Sequence, residues 1–202
     1  MAWRKQKPEV VTDLEGLGAY CKTDACRLAL AGYAKLRETA GGAIPAKNGL
    51  DLRYFVKSIP DLVLVALTKP DQCIFRIAGE NVRERYGQNP VGRNYFDMVP
   101  KERRESVMHS LAMVVDVPCG YRIEIEQIYE NGLTGQVEAV VLPLTSDEPG
   151  IDGFLLVVES LLNTADRIDY ENRTLLGSNV MERQMADLGF GIDTSFEDVL
   201  KD

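Results

Sequence analysis

The chain has 202 residues, of which 23 are basic and 31 acidic, so its formal net charge is −8. This length predicts one domain with appendages, and a composition of 45% hydrophobic and 27% charged residues excludes a wholly disordered chain. The acidic balance and the lack of a basic stripe argue against a nucleic-acid-binding surface. No apolar run approaches the roughly 20 residues that span a bilayer, and no secretion signal follows the N-terminus, so we expect a cytoplasmic protein.

The N-terminal region is expected to hold one helix after a loose start. Residues 1–22 show no sustained hydrophobic period and are predicted to be a flexible lead-in. From Thr23, an N-cap residue type, the pattern becomes helical and stops at Gly41-Gly42, which predicts a helix over about Asp24 to Thr39. Its charged side chains share one narrow arc and the remainder is apolar, so the helix needs a large partner surface.

Two strands and several short helices follow. A short helix is predicted over Asp51 to Ile59, then strands over Leu62 to Thr68 and Gln72 to Ala78 with the spacing of a hairpin. The stretch from Gly79 to Asn94 is expected to hold one or two helical turns. A longer helix is predicted from Pro100 to about Asp116, because proline is favoured at the first helical position.

Three more strands complete the pattern. Tyr121 to Glu126 alternates strictly between apolar and polar residues, which predicts an edge strand whose glutamates face water. Asn131-Gly132 predicts a hairpin into a strand over Gln136 to Leu144, and Phe154 to Leu162 forms the last strand. The first and last strands are almost continuously apolar, which favours central positions covered on both faces.

The C-terminal residues differ in charge from the rest. Residues 164–202 carry nine acidic and four basic side chains, and an amphipathic helix is predicted over Asp169 to Leu188. We therefore expect a domain over residues 23–163, followed by an acidic and partly helical tail.

This order of elements describes an α+β domain with an antiparallel sheet and helices on one face. Short motifs occur along it in a fixed order: Leu30 to Arg37, Ile44-Pro45, Ser58 to Leu64, Phe75 to Gly79, Tyr86-Gly87, Pro90-Val91-Gly92 and Val141 to Leu144. This set, which covers about residues 28–162, resembles the PAS domains, and more narrowly a bacterial family of stand-alone PAS-like proteins of uncharacterised function.

The resemblance implies a five-stranded antiparallel sheet with the first and last strands in the middle and short helices on one face. It also implies that the other face is too apolar to stand in water, so the N-terminal helix covers it together with the same helix of a second subunit. We therefore expect a homodimer. Its helix contacts are predicted to be Cys26, Ala29, Leu30, Tyr33 and Leu36.

In PAS domains the ligand lies between the inner sheet face and the short helices. The side chains expected to border that space here are Tyr54, Arg76, Tyr86, Tyr95 and Phe96. Arg76 stands inside an apolar strand, so it either faces water or is paired, and pairing with a local carboxylate is the favoured interpretation. The aromatic residues are more often core than pocket wall.

Candidate metal and cofactor ligands are few. His109 is the only histidine, which excludes a multi-histidine metal site, and it is predicted to point away from the apolar face of its helix rather than to bind haem. Cys21, Cys26, Cys73 and Cys119 lack the C-x-x-C spacing of zinc sites and are expected to be buried thiols. Haem, flavin and metal are therefore disfavoured, and the cofactor is unknown.

The predicted function is a non-enzymatic sensory or regulatory module in signal transduction, which binds a small ligand, a signalling protein partner or both. The alternative is a small α+β enzyme with a buried acid or base in the cavity between sheet and helices, for which Asp51, Asp61 and Asp97 are the candidates. A third hypothesis is a purely structural dimer with a filled core.

Overall fold

One seven-stranded sheet organises the computed structural model, which describes residues 9–130, 132–162 and 175–192. The strands lie in the order β1-β7-β4-β5-β6-β2-β3, and all neighbours are antiparallel except β1 and β7. Their bounds are β1 Glu9–Val11, β2 Leu62–Thr68, β3 Gln72–Ala78, β4 Cys119–Tyr129, β5 Thr134–Leu144, β6 Gly153–Leu161 and β7 Leu175–Asp187.

Helices lie on both faces of this sheet. The α-helices of the described residues are α1 Leu14–Tyr20, α2 Asp24–Thr39, α3 Glu80–Tyr86 and α4 Arg104–Asp116. Short 3₁₀ helices occur at Lys47–Gly49, Leu52–Phe55, Ile59–Asp61, Tyr95–Met98 and Lys101–Arg103. The bounds of α2 are those predicted, and the Thr23 hydroxyl accepts a hydrogen bond from the Cys26 amide at 3.3 Å, as an N-cap should.

The predicted α+β fold with a five-stranded antiparallel core is confirmed. Within it, β2 and β6 lie side by side in the middle, and they pair from Leu62 opposite Val158 to Leu67 opposite Gly153. Every residue of β2 from Leu62 to Leu67 is buried, because helices cover both faces of the sheet there.

The structure adds two strands, and the prediction that Tyr121 to Glu126 forms an edge strand is wrong. β4 lies between β5 and β7, and the Glu124 side chain is only 15% exposed. Its neighbour Arg122 is fully buried and contacts both Glu124 and Glu138. The alternation of β4 therefore separates an apolar face from an ion-paired face, and the ion-paired face is buried instead of exposed to solvent.

The predicted lead-in and tail also differ from the structure. Residues 9–22 contain β1 and α1, and the Asp13 carboxylate caps α1 by accepting the Gly16 amide at 2.7 Å. Residues 175–187 form β7 instead of the predicted helix, because backbone pairing along β4 overrides a helical pattern already weakened by Gly177. Residues 1–8, 163–174 and 193–202 lie outside the described residues.

α2 covers the outer face of the sheet, as predicted. The Tyr33 hydroxyl donates to the Pro143 carbonyl of β5 at 2.7 Å, and the apolar arc of the helix packs on β2, β5 and β6. The five side chains predicted for a dimer contact are 0% to 3% exposed within the single chain: Cys26, Ala29, Leu30, Tyr33 and Leu36. They are not available to a second subunit, because the chain's own sheet satisfies the apolar arc.

Candidate functional site

A cavity of about 80 Å³ lies between the inner face of the sheet and the short helices. Strands β2 to β7 form its floor, and Tyr86 of α3, Tyr95 and Met98 of a 3₁₀ helix and Leu111 of α4 form its roof. Most of the floor is apolar: Val63, Val65, Phe75, Ile123, Ile125, Ala139, Val141, Leu155 and Val157. The volume is about half of the ~150 Å³ of an engineered cavity that binds benzene, so only a molecule of a few heavy atoms fits this packing.

Polar groups occur in both the roof and the floor of this otherwise apolar cavity. The lining includes Tyr86, Tyr95, Gln127, Glu159 and Ser178. Burial, together with the negative charge of Glu159, raises the pKa of Tyr95 to about 12 and that of Tyr86 well above its usual value. Both phenols therefore stay protonated at neutral pH and remain hydrogen-bond donors.

The carboxylate of Glu159 is oriented by a buried arginine. Arg85 is 2% exposed, and its Nη2 donates to the Glu159 carbonyl at 2.7 Å and to Oε1 of the carboxylate at 3.1 Å. Its Nη1 reaches Oδ1 of Asp61 at 3.4 Å, and Asn81 donates to the same oxygen at 3.0 Å. One guanidinium thus serves two carboxylates, so the buried group carries a net negative charge next to the cavity.

One atom of this group has no partner. Nε of Arg85 is buried and makes no hydrogen bond to the described residues. A buried donor without a partner costs about 1–3 kcal/mol. The position of this arginine is therefore set by its contacts with the two carboxylates, although one of its own N–H groups is left without a hydrogen bond.

The structure brings only some of the predicted pocket residues together. Tyr86 and Tyr95 line the cavity, and both rings pack edge-on against Phe75, with centroids 5.9 and 6.1 Å away. Phe96 is 3% exposed in the same core and lies 6.2 Å from the Tyr95 ring, but it does not border the cavity.

Tyr54 and Arg76 lie away from the cavity. Tyr54 is 38% exposed in the 3₁₀ helix that packs beside α2, on the opposite face of the sheet. Arg76 is exposed, because it follows the cavity-lining Phe75 and therefore points to the opposite face of β3. It is also the extra residue of a bulge, in which Phe75 pairs with Val65 and Ile77 with Leu64. Of the two interpretations of Arg76, the structure supports a side chain that faces water.

Sequence reasoning missed Arg85, Gln127 and Glu159. A signal for Glu159 was present, because it is the only charged residue in the apolar strand Phe154 to Leu162. A single carboxylate in such a strand must be paired when buried. Nothing in the sequence indicated which basic residue pairs with it, because Arg85 lies 74 positions away.

A second polar cluster lies on the outer face of the sheet. Both carboxylate oxygens of Glu138 accept hydrogen bonds from the α1–α2 corner: the Lys22 amide at 2.8 Å, and the Thr23 amide and hydroxyl at 2.7 Å. Arg122 donates to the same carboxylate at 2.8 Å. Burial alone would raise the pKa of Glu138, but these hydrogen bonds outweigh it and lower the pKa. The cluster therefore anchors the start of α2 to the sheet.

The three aspartates considered as a catalytic acid or base do not border the cavity. Hydrogen bonds from Arg53 lower the pKa of Asp51, Asp61 is held by Arg85, and Asp97 is exposed. The described residues hold no group of three or more histidine, cysteine or acidic side chains arranged to bind a metal. No described helix is long and apolar enough to cross a membrane.

Two other predictions are confirmed. His109 is exposed on α4. All four cysteines are buried thiols, and Cys73 lines the cavity, where burial raises its pKa to about 12.

The chain is similar to known PAS domains. A family model described as a PAS domain matches residues 22–156. A PAS domain of a protein from Colwellia psychrerythraea is 15% identical, with a TM-score of 0.39 over 55% of this chain and 95% of that chain. A fungal LOV domain photoreceptor is 16% identical, with a TM-score of 0.36 over 57% of this chain and 94% of that chain. No curated protein matches the sequence.

Proposed function

We propose that this chain, which belongs to the PAS domain family of sensory and signalling modules, is a non-enzymatic cytoplasmic sensor. It binds a small ligand in the cavity between sheet and helices and passes the signal to a protein partner. The observation that carries this proposal is the Glu159 carboxylate in the wall of an otherwise apolar cavity. Such a combination of apolar lining and a few convergent polar groups is typical of ligand sites.

The lining defines the chemistry of the ligand. Arg85 occupies Oε1 of Glu159, so the carboxylate retains acceptor capacity for a ligand N–H or O–H group. The net negative charge of the group formed by Arg85, Glu159 and Asp61 disfavours an anion. The proposed ligand is therefore a small neutral or cationic molecule with one hydrogen-bond donor and a short apolar body.

The same buried group offers a path from the ligand to the surface. Arg85 connects Glu159, in the cavity wall, with Asp61, in the 3₁₀ helix Ile59–Asp61 that precedes β2. A ligand that binds one arrangement of this ion pair better than another shifts the population toward it. Any self-association of the chain must use surfaces other than the buried arc of α2.

A thermal unfolding experiment tests the proposal. Small amines, alcohols and amides of fewer than about six heavy atoms, matching the cavity volume, are added to the purified protein. We expect a subset of them to raise its melting temperature, because a ligand that binds only the folded state stabilises it. Ala139→Leu adds bulk to the cavity wall and should abolish the shift, whereas Ala43→Leu, at an exposed position, should retain it. Shifts that persist in Ala139→Leu, or no shift in the wild-type protein, would refute the proposal.

No comparable observation supports the enzyme alternative, because its candidate aspartates do not line the cavity.

A further inference from the structure

Five large apolar side chains form an exposed surface beside α2, which we call the lateral patch. They are between 37% and 63% exposed: Leu28, Leu52, Tyr54, Val56 and Ile59. Four of the five fall within residues 52–59, whereas the other exposed large apolar side chains of the described residues are scattered along the chain. A contiguous apolar surface of this kind marks an interaction site, unlike isolated exposed side chains.

Tight contacts with α2 hold the backbone of the lateral patch in place. The Ser58 hydroxyl donates to the Ala25 carbonyl at 2.9 Å, and Phe55 is 1% exposed. A Cβ atom on Gly32 would lie 2.6 Å from the Tyr54 carbonyl oxygen, so only glycine permits this approach. The patch is therefore a preformed surface and not a loose loop.

Helical geometry places Leu28 within the same surface. Ala25, Leu28 and Gly32 are three and four residues apart, so they share one face of α2. Because Ala25 and Gly32 contact Ser58 and Tyr54, Leu28 lies between the two contact points. Leu28, itself 39% exposed, therefore adjoins the segment that contains Tyr54 and Val56.

The sequence segment that contains the lateral patch is opposite in charge to the chain as a whole. Residues 22–61 carry seven basic and four acidic side chains, a net charge of +3, which leaves −11 on the remainder. Lys57 adjoins Val56, and Lys35 lies two helical turns beyond Leu28 on the same face. Both lysines are exposed, and neither has an ion-pair partner among the residues that the structure describes.

We infer that the lateral patch binds an acidic amphipathic segment of a partner protein. An apolar stripe of that segment covers the exposed side chains, and its carboxylates meet Lys35 and Lys57. A second copy of this chain fits worse, because a two-fold contact brings the same lysines face to face. An anionic membrane fits worse too, because its extended surface also meets the remainder of the chain, which carries −11, whereas a short segment meets only the patch. The inference rests on the partner-binding half of the proposed function and not on the ligand.

Fluorescence anisotropy with defined peptides tests this inference. One labelled helical peptide carries leucine on one face and glutamate on the other, and its control carries lysine in place of glutamate. We expect the glutamate peptide to bind the full chain at least tenfold more tightly than the lysine peptide. Its affinity should fall as salt is added, because salt screens the charge contacts. Val56→Glu should lower its affinity at least tenfold and Lys57→Glu severalfold. Val10→Glu, at a 43% exposed valine on the strand at the opposite sheet edge from β3, should leave it unchanged.

Equal binding of the two peptides, or wild-type affinity in both patch variants, would overturn the inference. So would a sedimenting dimer that Val56→Glu dissociates, because the occupant would then be a second copy. Co-sedimentation with phosphatidylserine vesicles that is lost in Lys57→Glu would assign the patch to membranes instead. A failed search for cavity ligands leaves these outcomes unaffected, so the two proposals fail separately.

Discussion

The Arg85 guanidinium holds Glu159 through two oxygens at once, the backbone carbonyl at 2.7 Å and the carboxylate at 3.1 Å. The same group reaches Asp61 at 3.4 Å, two residues from Ile59 of the lateral patch. One buried side chain thus joins the cavity wall to the base of the exposed surface. These contacts connect the two proposed sites through buried side chains.

Replacement of Arg85 tests how strongly this ion pair supports the fold. Arg85→Met keeps an apolar stem of similar length but removes the guanidinium, so two buried carboxylates lose their cation. We expect the free energy of unfolding to fall by about 3–5 kcal/mol, as when one partner of a buried pair is removed. Urea denaturation measures the change, and Arg83→Met, whose arginine is 45% exposed, serves as the control with less than about 1 kcal/mol lost. Equal small losses in both variants would show that the buried pair does not hold the wall in place.

The burial of α2 against its own sheet makes a second prediction. Leu30→Ala should lower the free energy of unfolding by about 2–5 kcal/mol, because it opens a cavity in the outer core. Leu28→Ala, two residues earlier and 39% exposed, should cost less than about 1 kcal/mol. The oligomeric state should be the same in both variants. A Leu30→Ala protein that keeps its stability but dissociates from a dimer would mean that this face belongs to a subunit interface.

Much of the fold follows from local sequence signals, and the failures have a common cause. The bounds of α2 follow from Thr23 and the Gly41-Gly42 pair, and the β2–β3 hairpin from strand length and turn residues, all of which act within a few positions. β7 was missed because its pairing partner β4 is remote in the sequence, as in Gln184, which lies opposite Arg122 but 62 positions after it. Long-range backbone pairing leaves no local periodicity to detect.

The site was predicted less well than the fold, for a related reason. Tyr86 and Tyr95 were found because the resemblance indicated the space that they border. Arg76 was misplaced because the sequence did not show that its neighbour Phe75 faces the cavity, which turns Arg76 to the opposite face of the strand. Glu159 and Arg85 form a pair only in the folded chain, so the sequence alone does not show which charges meet.

The Glu138 carboxylate predicts an acid-dependent contribution to stability. Its pKa is lowered in the folded state, so its stabilisation is complete above the usual glutamate value of about 4.3 and is lost as the pH falls through the folded value. At pH 7, Glu138→Gln should cost about 3–5 kcal/mol. The difference from wild type should shrink as the pH falls below about 4.3, because the Glu138 carboxyl of the unfolded chain takes up its proton before that of the folded protein.

Chemical denaturation between pH 7 and 3 measures this difference. Glu148→Gln is the matched control, because Glu148 is 38% exposed and pairs with Lys47 on the surface, so its loss should cost less than about 1 kcal/mol. A Glu138→Gln penalty that is small at pH 7, or that stays constant down to pH 3, would contradict the anchoring role of this carboxylate.

The cysteines provide a test of packing by their reactivity. Burial raises the pKa of Cys21, Cys73 and Cys119 to about 12 and that of Cys26 well above its usual value. At pH 8 only about one such thiol in ten thousand is the reactive thiolate. We expect a disulfide reagent to titrate none of the four in the native protein and all four in denaturant. Val56→Cys, at a 63% exposed position, should add one rapidly reacting thiol. Fast native reaction at Cys73 would mean that the cavity is open to reagents.

The most direct test of the ligand-binding claim is native mass spectrometry of the purified protein beside its Ala139→Leu variant. We predict that the wild-type chain of 22.5 kDa carries one small molecule, released on denaturation and absent from the variant with the filled cavity. If each protein, purified and measured in the same way, shows only the mass of its own bare chain, the result would contradict a ligand site beside Glu159.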